Sequence, residues 1–270
     1  MLLSAEITSD KVVNSVNSYC VPNYHNSKTS PLAVAIRLSK HCKNITYTMV
    51  CRSHKTLASV RKALSEVARV REIRTILAVT GDKAADGDVN VFDLISSIDK
   101  KRFKVSSAIV FTRNGEERRI ARKSAAGATI YCTQPVFPEN SYKLLSLLKR
   151  LQLQCEVRIG VLIPFSSPVC RKIAKEKPDF ISGTKFIATL AAAEAKSAKA
   201  ACAATIRIAR ENLKAAMNVA EAINSGRGNK CKITGIHFYG LSDRVFDTGK
   251  GQIKIAAASL FKEATQKAQL

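Results

Sequence analysis

Apolar and polar positions follow two rhythms along this chain. Short β-branched runs predict strands at residues 2–7, 12–19, 45–51, 75–80, 104–111, 128–134, 157–163 and 233–239. Between them the apolar spacing lengthens to that of a helix. Leu57, Val60, Leu64, Val67 and Ala68 recur at three- and four-residue intervals, with Arg61, Lys62 and Arg69 on other faces. Pro31 and Ser166-Ser167-Pro168 mark helix starts, where a fixed φ and a missing N–H cost nothing. Gly127 and Gly226 follow helical segments, where a left-handed cap is expected.

Strand alternating with helix implies a parallel sheet, because each helix returns the chain to the start of the next strand. Eight such repeats in 270 residues predict one α/β domain spanning 1–270, a closed (β/α)8 TIM barrel. The helical stretch over 184–224 is too long for one barrel helix and predicts an extra helical excursion around 184–205. A doubly wound open sheet is the alternative, but no glycine-rich dinucleotide fingerprint follows any strand.

Barrel chemistry is read at the carboxyl ends of the strands. Those ends carry Glu6, Thr80-Gly81-Asp82, Thr133-Gln134 and His237-Phe238-Tyr239. Any one of these residues also suits a helix cap or a partner for the abundant cations. An acid, an amide and a phenol meeting at one mouth is more than folding requires.

Composition adds a second theme. There are 44 Lys and Arg against 21 Asp and Glu, a net charge of +23, and the commonest reason to carry such self-repulsion is a polyanionic partner. The excess is clustered: residues 100–123 hold nine Lys or Arg and two Glu, and residues 52–74 hold seven and two. The run Lys100, Lys101, Arg102 and Lys104 falls where a barrel helix turns into the next strand, on the face opposite the mouth. Arg118 and Arg119 follow on the next helix. A solvated face that serves solubility is the plainer account. The sharper one is contact with phosphates of a structured RNA such as ribosomal RNA, since the chain has no Trp and no recognisable RNA-binding module. An anionic membrane suits less, because no amphipathic anchor is evident.

The eight cysteines are scattered singly without a Cys-x-x-Cys pair, which reads as buried free thiols in a reducing, cytoplasmic setting rather than a disulfide framework. The four histidines show no ligand spacing, so no metal site is expected. No secretory leader and no apolar stretch of about 18 residues is evident, so no membrane span is expected either.

Several motifs, in order along nearly the whole chain, resemble the methylenetetrahydrofolate reductase family. They include Lys28-Thr29-Ser30-Pro31, Thr48-Met49-Val50-Cys51-Arg52, the run from Ile73 to Asp82, and Gly87-Asp88. Arg122-Lys123, Thr133-Gln134-Pro135, Gly160 to Pro164 and His237 to Leu241 continue them. The resemblance implies a (β/α)8 barrel holding FAD that reduces methylenetetrahydrofolate, or a related methylene-pterin, in one-carbon metabolism. It further implies Glu6 as the general acid that protonates the folate nitrogen. Asp82, Gln134, Tyr239 and Arg244 become substrate contacts. Tyr19, Thr48, Thr80, Gly81, Asp82, Arg122 and Lys123 become cofactor contacts, with the hydride coming from reduced flavin. The chain departs from the family pattern at Thr48, where the family has a histidine, at Ser53-His54, and at Phe111 to Gly115. Arg119 replaces a polar residue, and Asp243 stands where the folate-binding Arg is expected, displaced here to Arg244. The alternative function is a barrel of the same descent, non-catalytic or moonlighting, that binds structured RNA or a ribonucleoprotein such as the ribosome.

Overall fold

A computed structural model describes residues 2–6, 16–23, 29–81, 88–164, 166–181 and 185–240. Eight parallel strands close in sequence order into a barrel, and helices alternate with them, as the pattern predicts. The order is β1 (Leu2–Glu6), β2 (Ser18–Val21), α1 (Pro31–Ser39), β3 (Ile45–Val50), α2 (Leu57–Ala68), β4 (Ile73–Val79), α3 (Val91–Ser97) and β5 (Lys104–Ile109). It continues with α4 (Glu116–Ala125), β6 (Ile130–Pro135), α5 (Ser141–Arg150), β7 (Cys155–Leu162), α6 (Ser167–Glu176), α7 (Lys185–Lys196), α8 (Ala198–Asn224) and β8 (Cys231–Tyr239).

Pro31 opens α1 and Pro168 lies in the first turn of α6, as expected. Gly127 has the expected positive φ of 114°. Gly226 does not; the left-handed position after α8 falls instead to Gly228, at φ 86°. Of the predicted second strand, residues 12–15 lie outside the described residues, and β2 begins at Ser18. Asn17 stands just before it and imitates a ladder residue, its side-chain oxygen accepting from the Leu3 N–H at 3.0 Å while its own N–H donates to the Leu3 carbonyl at 3.0 Å. In the stretch expected to hold an excursion, α7 ends at Lys196 and Ser197 follows it. There the Ser197 hydroxyl accepts from the Ala200 N–H at 3.1 Å and starts α8.

Most of the apolar core lies between the sheet and the helices. Leu3, Tyr19, Met49, Ile76, Ile159 and Phe238 face that layer, against the inner faces of helices such as α2, α5 and α8. A second cluster, with Phe137, Leu162, Ile187 and Leu190, seats α6 and α7. The opposite face of the strands is unusual. Barrel interiors are normally layers of branched aliphatics, whereas here the register places Ser4, Cys20, Thr48, Ser106, Cys132 and Arg158 on the inward side, all buried.

All eight cysteines are free, and all but the half-buried Cys202 are buried. Among the described residues no helix is long and apolar enough to cross a membrane, and no group of three metal-ligating side chains converges.

Candidate functional site

Parallel closure brings the last residues of the strands to one rim. Glu6 ends β1 in register with Cys20 of β2, Gln134 is the penultimate residue of β6, and Tyr239 ends β8. Asp82 and Arg244 lie outside the described residues. The Tyr239 hydroxyl donates to the Thr133 carbonyl at 2.8 Å, and its ring meets His237 edge-on at 4.6 Å.

A strap after α6 crosses this rim. The Gln134 amide donates to the Thr112 hydroxyl at 3.1 Å and to the main-chain carbonyl of Asp179. Thr112 in turn donates to the Asp179 carboxylate at 3.1 Å, and Arg113 pairs with that carboxylate at 3.7 Å. Phe180 packs edge-on against Tyr239 at 5.1 Å. Two residues singled out as substrate contacts therefore carry the strap.

Below the rim the interior is a polar ring. Cys20 and the Thr48 hydroxyl are 3.5 Å apart, Ser106 and Cys132 3.8 Å, and Ser4 and His237 Nδ1 3.0 Å. Burial, and then the charge of Glu6, push the Cys20 thiol well above its usual range. Burial is also the main reason the Tyr239 phenol is raised, with Cys132, Glu6 and Cys20 adding to it. His237 is driven down to about 3 by burial and then by the Arg158 charge, so it is neutral at physiological pH. The thiols stay protonated and are poor nucleophiles. The Glu6 carboxylate at the rim and the Arg158 guanidinium both act on the thiols of this ring.

The positions expected to hold FAD do not gather into a cradle. Tyr19 is 1% exposed and in register with Ala5 and Ile45, on the helix side of the sheet. Thr48 is turned inward onto Cys20. Thr80 is half-buried and its carbonyl accepts from the Cys51 thiol at 3.6 Å. Gly81 adopts a φ of 96°, and a Cβ there would come within 2.5 Å of Val50 Cγ1, so a turn explains the glycine. Arg122 is exposed and lies 4.0 Å over the Phe92 ring. Lys123 is committed inside the protein: its ammonium pairs with Glu116 at 3.5 Å and donates to the Ala108 carbonyl, and burial lowers its pKa. These described residues do not fit the flavin, and no chemistry below is routed through it.

The six basic residues singled out for RNA also divide. Lys101 and Lys104 are exposed at the entry to β5. Lys100, also exposed, donates to the Ile95 and Ser96 carbonyls at 3.2 and 3.0 Å, closing the end of α3. Arg102 is locked. Its guanidinium donates to the carbonyls of Ile73, Ala68 and Val70 at 3.0, 3.2 and 3.0 Å, tying α2 to β4 and committing three of its five donors. Arg118 and Arg119 sit in the first turns of α4, at the mouth end of the barrel and away from Lys100–Lys104; Arg119 leans on Glu116 at 3.7 Å.

The closed barrel adds basic residues that separate runs of sequence had hidden. The loops entering β3, β4, β5 and β8 all lie at the floor. Lys40 and Lys43 occupy the first, Arg69 and Arg71 the second, Lys100 and Lys101 the third, Arg227 and Lys230 the fourth, all exposed. The signal was present, since each pair falls between a helix end and a strand start. Arg158 was also legible: it alternates with Val157 and Ile159, so it had to face the barrel interior.

No family model matches the chain, and no match was found among curated proteins.

Proposed function

We propose that this chain is an RNA-docking barrel, binding the phosphate backbone of a structured RNA, such as ribosomal RNA, with its floor. The observation that supports this is the concentration of cations at one end of a closed barrel: the four floor loops carry nine Lys or Arg, all but Arg102 exposed, against Glu72 and Asp99. Cations from several loops on one end match the spread of phosphates on a folded RNA and need no base-reading motif. Phosphate contacts release counterions, so the affinity falls steeply with salt. The test is binding of a folded RNA at rising salt, with anionic vesicles as the competing surface. Salt-sensitive RNA binding with little vesicle uptake supports the reading; vesicle binding of equal strength overturns it.

A second reading concerns the mouth. Glu6, Gln134 and Tyr239 meet at strand ends, and a reduced pterin such as methylenetetrahydrofolate suits an acid, an amide and an aromatic wall. In that reading the enzyme is an oxidoreductase of the methylenetetrahydrofolate reductase type. Glu6 gives a proton to the ring nitrogen as the methylene bridge opens, and a diffusible reduced nicotinamide dinucleotide gives the hydride that turns the methylene into a methyl group. Gln134 and Tyr239 bind after the strap has moved aside. The absorbance spectrum of the purified protein reports flavin and co-purified nucleic acid together. Pterin reduction abolished by Glu6→Gln supports this reading; wild-type protein that neither binds nor reduces the pterin removes it.

A further inference from the structure

The least expected side chain in the molecule is inside the barrel. Arg158 is the fourth residue of β7, in register with Cys132 of β6. Its charge is felt by Cys20 on β2, Cys132 on β6 and His237 on β8. Strands two and six stand on opposite sides of an eight-stranded barrel, so one guanidinium reaches both only from the interior. The residue is 8% exposed, and its Nε is buried with no hydrogen-bond partner.

A buried, incompletely paired guanidinium is costly, and proteins keep one where an anion meets it. The groups around it are not that anion. His237 is neutral, the Cys20 and Cys132 thiols are protonated, and Ser4, Thr48 and Ser106 are hydroxyls. The acid whose charge reaches the same thiols is Glu6, but it ends β1 at the rim and does not hydrogen-bond the Arg158 Nε. The hydroxyls and thiols can donate, which suits an oxyanion better than a second cation.

We propose that the barrel interior is a binding site for the oxyanion of a small ligand, a carboxylate or a phosphate, anchored by Arg158. The Nε–H and a neighbouring amino group present two parallel donors, the geometry that a carboxylate or phosphate accepts side by side. The strap governs entry. Asp179 and Phe180 hold on to Gln134 and Tyr239, which lie on the two strands flanking β7, directly above Arg158. The site goes beyond the RNA reading and does not depend on it, because the floor cations are not part of it.

The test is thermal unfolding in rising inorganic phosphate or acetate, each against chloride at matched ionic strength. Wild-type protein is expected to show a saturable rise with at least one of them, roughly 3–6 °C at ten times its Kd. Which anion acts tells a phosphate ligand from a carboxylate one. Arg158→Met loses the rise, and the floor variant Lys101→Glu/Lys104→Glu keeps it, which separates this site from RNA docking. Arg158→Lys keeps the charge but lacks the paired donors and binds at least tenfold more weakly; it carries the test if the Met variant does not fold. An equal rise in wild type and Arg158→Met, unchanged affinity in Arg158→Lys, or no rise over chloride overturns the proposal.

Discussion

The two ends of the barrel use their polar residues in opposite ways. At the mouth, the described strand-to-helix connections carry Arg52, Lys55 and Arg113 against Asp88 and Glu139, close to balance. The polar side chains there are spent within the protein: Gln134 on the Thr112 hydroxyl and the Asp179 carbonyl, Tyr239 on the Thr133 carbonyl. At the floor the cations outnumber the acids and most face solvent. A net charge is therefore a poor guide to a surface. Lys123 and Arg102 count toward +23 just as Lys101 does, yet two of the three hold the fold together.

Three measurements sharpen that distinction between structural and presented cations. The largest effect is expected at Lys123. Lys123→Met leaves the Glu116 carboxylate, with 1% side-chain exposure, without its buried partner, and should cost about 3–5 kcal/mol in urea unfolding. A loss below about 1 kcal/mol would show that the pair is not structural.

Next is the interior. The folded-state pKa of His237 lies near 3, below the unfolded 6.5, so between those values the unfolded chain binds a proton that the folded chain refuses. Its contribution is intact above about pH 6.5 and is lost on acidification below it, by about 1.4 kcal/mol per pH unit. His237→Gln should flatten the acid limb by that slope relative to wild type; parallel limbs would contradict a neutral buried imidazole.

The smallest effect is at Arg102. Arg102→Ala removes donors from three carbonyls and should destabilise by about 2 kcal/mol. RNA affinity should stay within about twofold, because three of the five donors of this side chain are spent on main-chain carbonyls. A large loss of RNA affinity with unchanged stability would reverse its assignment.

The barrel was legible because its signal is repetitive. Each β-branched run and each helical spacing is a local pattern, and eight repeats reinforce one topology. Where local pattern and structure part, a single interaction decides. Val16 and Asn17 read as strand, yet Asn17 takes the ladder position beside Leu3 and β2 begins at Ser18. Ser197 sets where the alanine-rich stretch divides into two helices, because its hydroxyl satisfies an N–H of a new first turn. The rim residues Glu6, Gln134 and Tyr239 were legible from strand ends alone. Their partners were not, since Asp179 and Phe180 lie in a turn with no periodicity and reach them only through the tertiary fold. The commitments of Arg102 and Lys123 were hidden for the same reason: composition counts a charge without showing which carbonyl or carboxylate it faces.

The central claim is that the floor docks RNA through phosphate contacts. Its most direct test is the salt dependence of RNA binding for wild type and for a variant with Lys40, Lys43, Lys101 and Lys104 each changed to Glu. The wild-type plot of log affinity against log salt should be steep. The variant's should be shallower by roughly 0.7–0.9 for each phosphate no longer neutralised, with affinity reduced at least tenfold at low salt. Equal slopes and equal affinities in the two proteins would contradict the claim.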